Sequence, residues 1–128
     1  MKLIEGKNIL VTGGSRGIGR SIVQVLIENG ANVGFTFSSS ESAAKEISTN
    51  LNSSSSKCIA YKSDASKLNE CEKLVDSFLN DFDTIDVLIN NAGITKDNLT
   101  IRMNLDEWKK VVDINLTSTF LMSKFAIK

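Results

Sequence analysis

The chain has 128 residues, enough for one domain with its own core, and its 41% hydrophobic content is ordinary for a soluble globular protein. Lys plus Arg balances Asp plus Glu at 15 each, so no overall field draws the chain to nucleic acid or to an acidic membrane surface, and any anion must be held by a local pocket. Histidine is absent, which excludes Ser-His-Asp and Cys-His nucleophile arrangements and any zinc site completed by histidine.

The opening MKLIEGKN carries Lys2, Glu5 and Lys7 ahead of an apolar run too short for a signal peptide or a membrane span. The chain reads as cytoplasmic, with an organellar stroma as the alternative if a transit peptide has been removed. Residues 8–11 predict a first strand, followed by a glycine-rich turn and a helix with apolar positions at Ile18, Ile22, Val25 and Leu26, closed by Gly30 as its C-cap glycine. Residues 31–37 predict a second strand. SSSE at positions 38–41 has the form of a capping box, Ser38 at the N-cap and Glu41 reaching back, ahead of a helix on Ala44, Ile47 and Leu51.

NSSSSK, from Asn52 to Lys57, is a short solvated loop, and residues 58–61 predict the third strand. Leu68, Cys71, Leu74, Val75, Phe78 and Leu79 predict the third helix, and residues 86–89 the fourth strand. Cys58 and Cys71 stand thirteen positions apart without a CxxC pair, as two reduced, partly buried thiols. From Leu105 to Lys128, Trp108, Val111, Val112, Leu116, Phe120, Leu121, Lys124 and Phe125 fall on or near one helical face, a stripe built to pack on something.

Short strands this apolar are buried on both faces, and their alternation with helices implies right-handed crossovers and a parallel sheet covered on both sides. The expected fold is α/β, a Rossmann-like doubly wound parallel sheet represented by its N-terminal part, with about four strands and four helices in one domain over residues 1–128.

ILVTGGSRGIG, residues 9–19, places four glycines within seven positions between the first strand and the first helix. In a βαβ unit such a turn is an anion cradle: the helix start offers unpaired N–H groups and a partial positive charge, and glycine lets a pyrophosphate approach the backbone. Gly13, Gly14, Ser15, Arg16, Gly17, Ile18 and Gly19 are therefore candidate cofactor-binding residues. The second strand ends FTFSSS. An NAD site usually ends it with a carboxylate for the ribose 2′-hydroxyl, but here the first acid is Glu41, which the capping box explains. Arg16 can bond a 2′-phosphate and Ser38 can add a hydroxyl, which favours NADPH; the competing role for Arg16 is a solvated loop cation.

The spacing Thr12-Gly13-x-x-x-Gly17-x-Gly19, together with NNAG at 90–93 directly after the fourth strand, resembles the classical short-chain dehydrogenase/reductase family. TGGSRGIG, NNAGITKDNL and INLTS look most like its bacterial-type 3-oxoacyl-[acyl-carrier-protein] reductases. The resemblance implies NADPH-dependent reduction of a carrier-linked 3-oxoacyl thioester in fatty acid biosynthesis, in a homo-oligomer that is a tetramer in intact relatives, with no nucleic acid, membrane or metal.

By the same resemblance, Asp64 and Ala65 meet the adenine amino group, although turn or N-cap chemistry competes for Asp64. Asn91 contacts the nicotinamide-side ribose, while Ala92 and Gly93 let the cofactor lie flat and Asn90 braces neighbouring strands. Asn115 matches the asparagine of a water-linked proton relay, its competing role being a solvent-facing helix residue. Arg102 is a candidate for a phosphopantetheine phosphate or for a surface salt bridge, and Lys128 stands where some relatives meet the acidic carrier protein.

The family's serine and its Tyr-x-x-x-Lys have no counterpart in these residues, so the chain corresponds to the N-terminal portion and is expected to be inactive alone. Tyr61, the single tyrosine, is expected to be a core or cofactor-adjacent ring. The alternatives are a non-catalytic dinucleotide-binding or dimerisation module, and a short-chain dehydrogenase acting on another ketone or on a sugar.

Overall fold

The computed structural model describes residues 3–15, 17–39, 41–53, 55–92 and 101–127. Four strands, β1 (Asn8–Val11), β2 (Asn32–Phe37), β3 (Cys58–Lys62) and β4 (Val87–Ile89), pair in parallel in the order β3-β2-β1-β4. The register runs Asn8 to Asn32 and Val33 to Cys58 on one side of β1, and Ile9 to Val87 on the other. The chain thus builds outward from β1 to β3 and then returns across β1 to lay down β4. That reversal is the switch point of a doubly wound sheet, and it opens a crevice beyond the carboxyl ends of β1 and β4.

Alternation along β1 divides the core. Ile9 and Val11 join Val33, Phe35 and Phe37 beneath α1 (Gly17–Glu28) and α2 (Glu41–Leu51), where Val23, Ala44 and Ile47 pack. Leu10 faces the other layer, formed by Cys71, Leu74, Val75, Phe78 and Phe82 of α3 (Leu68–Phe82) and Leu121, Met122 and Phe125 of α5 (Ser118–Ile127). Gly34 lets Phe78 lie directly on β2, since a Cβ there would come within 2.7 Å of its ring. Burying a side chain such as Phe35 contributes roughly 2 kcal/mol, and its truncation to alanine would cost ~3–5 kcal/mol. Cys58 and Cys71 are free, buried and on opposite faces of the sheet.

Gly30 ends α1 as expected, with φ +88° and its N–H on the Ile27 carbonyl at 3.0 Å. The capping box at 38–41 is not formed as expected. Helix α2 starts at Glu41 itself, so Ser38 remains in the turn after β2 and Glu41 pairs with Lys45 at 3.8 Å.

The C-terminal helix also departs from a single apolar face. α4 (Leu105–Val112) is N-capped by Asn104, whose side-chain oxygen accepts the Glu107 N–H at 2.8 Å. It runs into a π-helical segment (Asp113–Thr117), in which the Ser118 N–H reaches back five residues to the Asp113 carbonyl, and then into α5. The wider turn shifts the phase of the stripe. Leu121 and Phe125 are buried with Met122 on α3, whereas Trp108, Leu116 and Phe120 stay 58%, 68% and 63% exposed. No described helix is long and apolar enough to cross a membrane.

Candidate functional site

The turn after β1 is fixed by the strands on either side of it. Thr12, 2% exposed, accepts the backbone N–H groups of both Asn91 and Ala92 on its hydroxyl oxygen, each at 3.0 Å. The Gly13 N–H donates to the Thr36 hydroxyl at 2.8 Å and the Gly14 N–H to the Thr36 carbonyl at 2.9 Å. Asn91 closes the ring by donating its side-chain amide to the Gly13 carbonyl at 2.9 Å. β2 and β4 thereby hold the loop that β1 delivers.

The glycines divide between two tasks. Gly13, at φ +71°, brings the loop so near β4 that a Cβ would sit 2.9 Å from Cα of Ala92, and a Cβ on Gly19 would collide with the Gly13 carbonyl oxygen. These two serve the loop's own packing. Gly17, at φ +60°, opens α1 into free space, with nothing within 4 Å of where its Cβ would stand. The first-turn N–H groups of α1 have no partners within the helix, and no acidic residue in that turn competes for them.

Beside this helix start lies a cleft of about 330 Å³. It gathers Gly13, Ser15, Ile18, Gly19, Ser38, Asp64, Ala65, Asn91 and Ala92 of the residues expected from sequence, and adds Thr36, Phe37, Ser39, Ser63 and Ile114. Gly14 and Gly17 support the loop outside the lining. Arg16, Gly93 and Lys128 lie outside the described residues. Asn115 is exposed in the π-helical segment, one residue beyond Ile114, and is not part of the lining. Arg102 is exposed. Asn90 reaches the Ser123 hydroxyl of α5 at 3.3 Å instead of bridging strands.

Asp64 is engaged in the turn that follows β3, one carboxylate oxygen accepting the Ser66 hydroxyl at 2.6 Å and the Ser66 N–H at 3.0 Å. Partial burial pushes its pKa upward, but the Ser66 bonds together with the charges of Lys67 and Lys110 outweigh that and hold it below the usual carboxylate range. Asp64 still lines the cleft, so the turn role and a ligand contact are compatible. Tyr61 is turned away toward α3: it packs against Phe78 at 6.4 Å between ring centroids and donates its hydroxyl to Asp81 at 2.5 Å. Desolvation, and then the Asp81 bond and charge, raise its pKa far above the ordinary phenol value. Burial raises the Cys58 thiol from 9.0 to about 11.

Sequence reasoning missed Thr36, Phe37, Ser39, Ser63 and Ile114. Parallel pairing would have located Ser63, because Phe37 and Lys62 are in register and the Ser63 N–H donates to the Phe37 carbonyl at 3.0 Å.

The arrangement suits the phosphorylated half of a nucleotide. The start of α1 lies beside the cleft with open space where a Gly17 Cβ would stand, hydroxyls rim the end of β2 without a carboxylate, and Asp64 supplies an acceptor beyond β3. The cleft, about 330 Å³, falls within the range of ligand sites, which begin at about 300 Å³. No group of acidic or cysteine residues that could hold a metal occurs among the described residues.

Comparison with known proteins agrees with this geometry. A family model described as short chain dehydrogenase matches residues 7–128. The chain is 37% identical to 3-oxoacyl-[acyl-carrier-protein] reductase of Synechocystis over all of its length and 52% of that protein. It is 41% identical to 3-oxoacyl-[acyl-carrier-protein] reductase FabG of Salmonella typhimurium over 97% of its length and 49% of that protein. The chain therefore spans about half the length of the curated relatives it matches. Among solved structures, a short chain dehydrogenase from Burkholderia cenocepacia in complex with NADP superposes with a TM-score of 0.93 at 31% identity, covering 97% of this chain and 51% of that one. NADH-dependent reductase A1-R' complexed with NAD superposes with a TM-score of 0.90 at 33% identity, covering 98% and 52%. With the family match running from residue 7 to residue 128 and the fold shared at this level, the protein belongs to the short-chain dehydrogenase family.

Proposed function

We propose that these residues form the dinucleotide-binding portion of an NADPH-dependent oxidoreductase that reduces 3-oxoacyl-[acyl-carrier-protein] to 3-hydroxyacyl-[acyl-carrier-protein] in fatty acid biosynthesis. The observation that carries the reading is the cleft at the β1/β4 switch point, where the start of α1, at Ile18 and Gly19, meets a β2 end that bears hydroxyls and no carboxylate. The names of the Synechocystis and Salmonella relatives support the substrate class.

In this reading the amides at Ile18 and Gly19 hold the diphosphate, and Ser15 lies beside them. Ser38 and Arg16 take the 2′-phosphate, an assignment supported by the absence of any acid between the end of β2 at Phe37 and Glu41. Asp64 and Ala65 meet the adenine edge. Asn91, Ala92 and Gly93 face the nicotinamide-side ribose, and Asn115 belongs to the proton relay. Bound, the reduced nicotinamide supplies the hydride. Tyr61 is not the proton donor, because its hydroxyl is already donated to Asp81 and its ring is packed on α3. The general acid and the lysine beside it must therefore come from outside these 128 residues. The described part alone binds and orients the dinucleotide without completing reduction, because losing the proton-transfer group typically costs ~10²–10⁴-fold in rate.

Calorimetric titration with NADPH and with NADH tests this. The reading expects NADPH to bind at least about tenfold more tightly, the equivalent of one charge-assisted contact to the 2′-phosphate. Equal affinities would contradict the roles given to Arg16 and Ser38.

A further inference from the structure

Thr36 is an anomaly in β2: a polar residue, 4% exposed, within the otherwise apolar stretch VGFTF. Its hydroxyl oxygen accepts the Gly13 N–H at 2.8 Å and its carbonyl accepts the Gly14 N–H at 2.9 Å, while it also lines the cleft. Two consequences follow. The amides of Gly13 and Gly14 are already taken up by β2, so they are withdrawn from anion binding, which falls to the first turn of α1. The Gly13 carbonyl, held on its other side by Asn91, is also the surface against which Gly19 packs with no room for a Cβ. Thr36 holds both peptide units that flank Gly13, the Thr12–Gly13 unit through its hydroxyl and the Gly13–Gly14 unit through its carbonyl, and so holds the surface on which the start of α1 packs.

We propose that Thr36 is a positioning residue for diphosphate binding: through the two peptide units that flank Gly13 it holds the first turn of α1 at the place where its amides meet the phosphates. The proposal rests on the dinucleotide reading above. A valine has nearly the shape of threonine but no acceptor, so T36V leaves the Gly13 N–H without a partner and lets the turn drift.

The test compares ADP with adenosine, which share the base and ribose and differ in the phosphates, by calorimetry on the wild-type protein, T36V and T36S. The expected result is an ADP dissociation constant raised about tenfold in T36V, an adenosine constant within about twofold of wild type, and ADP affinity restored in T36S, which keeps the hydroxyl. Unchanged ADP affinity in T36V, or equal losses for ADP and adenosine, would overturn the proposal. If T36V does not fold, T36S against T36C makes the same comparison, two side chains of similar shape that differ in acceptor strength; equal ADP affinities there would also overturn it. A wild-type protein that binds neither ADP nor NADPH fails the dinucleotide reading itself, and the inference with it, which is distinct from a wild type that binds while T36V behaves identically.

Discussion

The side-chain amide of Asn91 donates to the carbonyl of Gly13 at 2.9 Å across 78 positions of sequence, tying the end of β4 to the turn that follows β1. The two strands flank the switch point, so this bond spans the place where the cleft opens. Asn91→Ala should remove it while leaving the Asn91 N–H on Thr12. We expect a loss of about 1 kcal/mol in stability and a several-fold weaker NADPH complex. Urea unfolding and calorimetric titration of the variant measure both; an unchanged NADPH affinity would mean that the brace does not shape the site.

The two glycines at either end of the first turn of α1 should respond differently to alanine. Gly19→Ala drives a Cβ into the Gly13 carbonyl, an overpacking that neighbouring backbone cannot relieve cheaply, and should cost ~3 kcal/mol. Gly17→Ala meets no atom and pays only for its left-handed backbone, about 1 kcal/mol. Denaturant midpoints of the two variants give the ranking, and a larger loss at Gly17 would contradict it.

Much of the architecture was legible because the inner strands leave little choice. The bounds 8–11 agree to the residue, since the apolar Ile9, Leu10 and Val11 run straight into the glycine-rich turn of a central strand. The others moved by one residue at an end. The cleft was legible where its lining comes from motif loops, as at Ile18, Asp64 and Ala92. It was not legible at Thr36, whose partners lie 22 and 23 positions earlier and whose role appears only once β1 and β2 are paired. The π-helical segment escaped for a different reason: a spacing rule built on 3.6 residues per turn carries one face through Leu116 and Phe120, and the single wider turn points them outward while sending Leu121 in. Ser38 to Glu41 match the Ser-x-x-Glu pattern of a cap, whereas the helix starts only at Glu41. The cap that forms is Asn104 with Glu107, three residues on, the same spacing with an amide in place of the hydroxyl.

Alkaline stability should carry the mark of Cys58. Burial raises its folded-state pKa to about 11 from an ordinary 9.0, so the neutral thiol is favoured in the folded chain. The sign is that of a raised group: its contribution is complete below pH 9, where both states keep the proton, and is lost between pH 9 and about 11 as the unfolded chain ionises more readily. Cys58→Ser, which does not titrate there, should flatten the fall in unfolding free energy over that window. An identical slope in the variant would contradict the assignment.

Tyr61→Phe separates structure from chemistry. Removing the hydroxyl breaks the bond to Asp81 and should lower stability by about 1 kcal/mol. Because the ring sits on α3 and not in the cleft, NADPH affinity should be unchanged within about twofold, roughly the scatter of a substitution remote from the ligand. Weakened cofactor binding would place Tyr61 nearer the site than the structure does.

Backbone amide NMR during titration with NADPH tests the central claim most directly, because it reads the anion-binding groups one by one. The account predicts that the amides of Ile18 and Gly19 shift and gain protection from exchange, while those of Gly13 and Gly14 stay protected throughout by Thr36. Shifts confined to residues remote from the start of α1, with Ile18 and Gly19 unmoved at saturation, would contradict it.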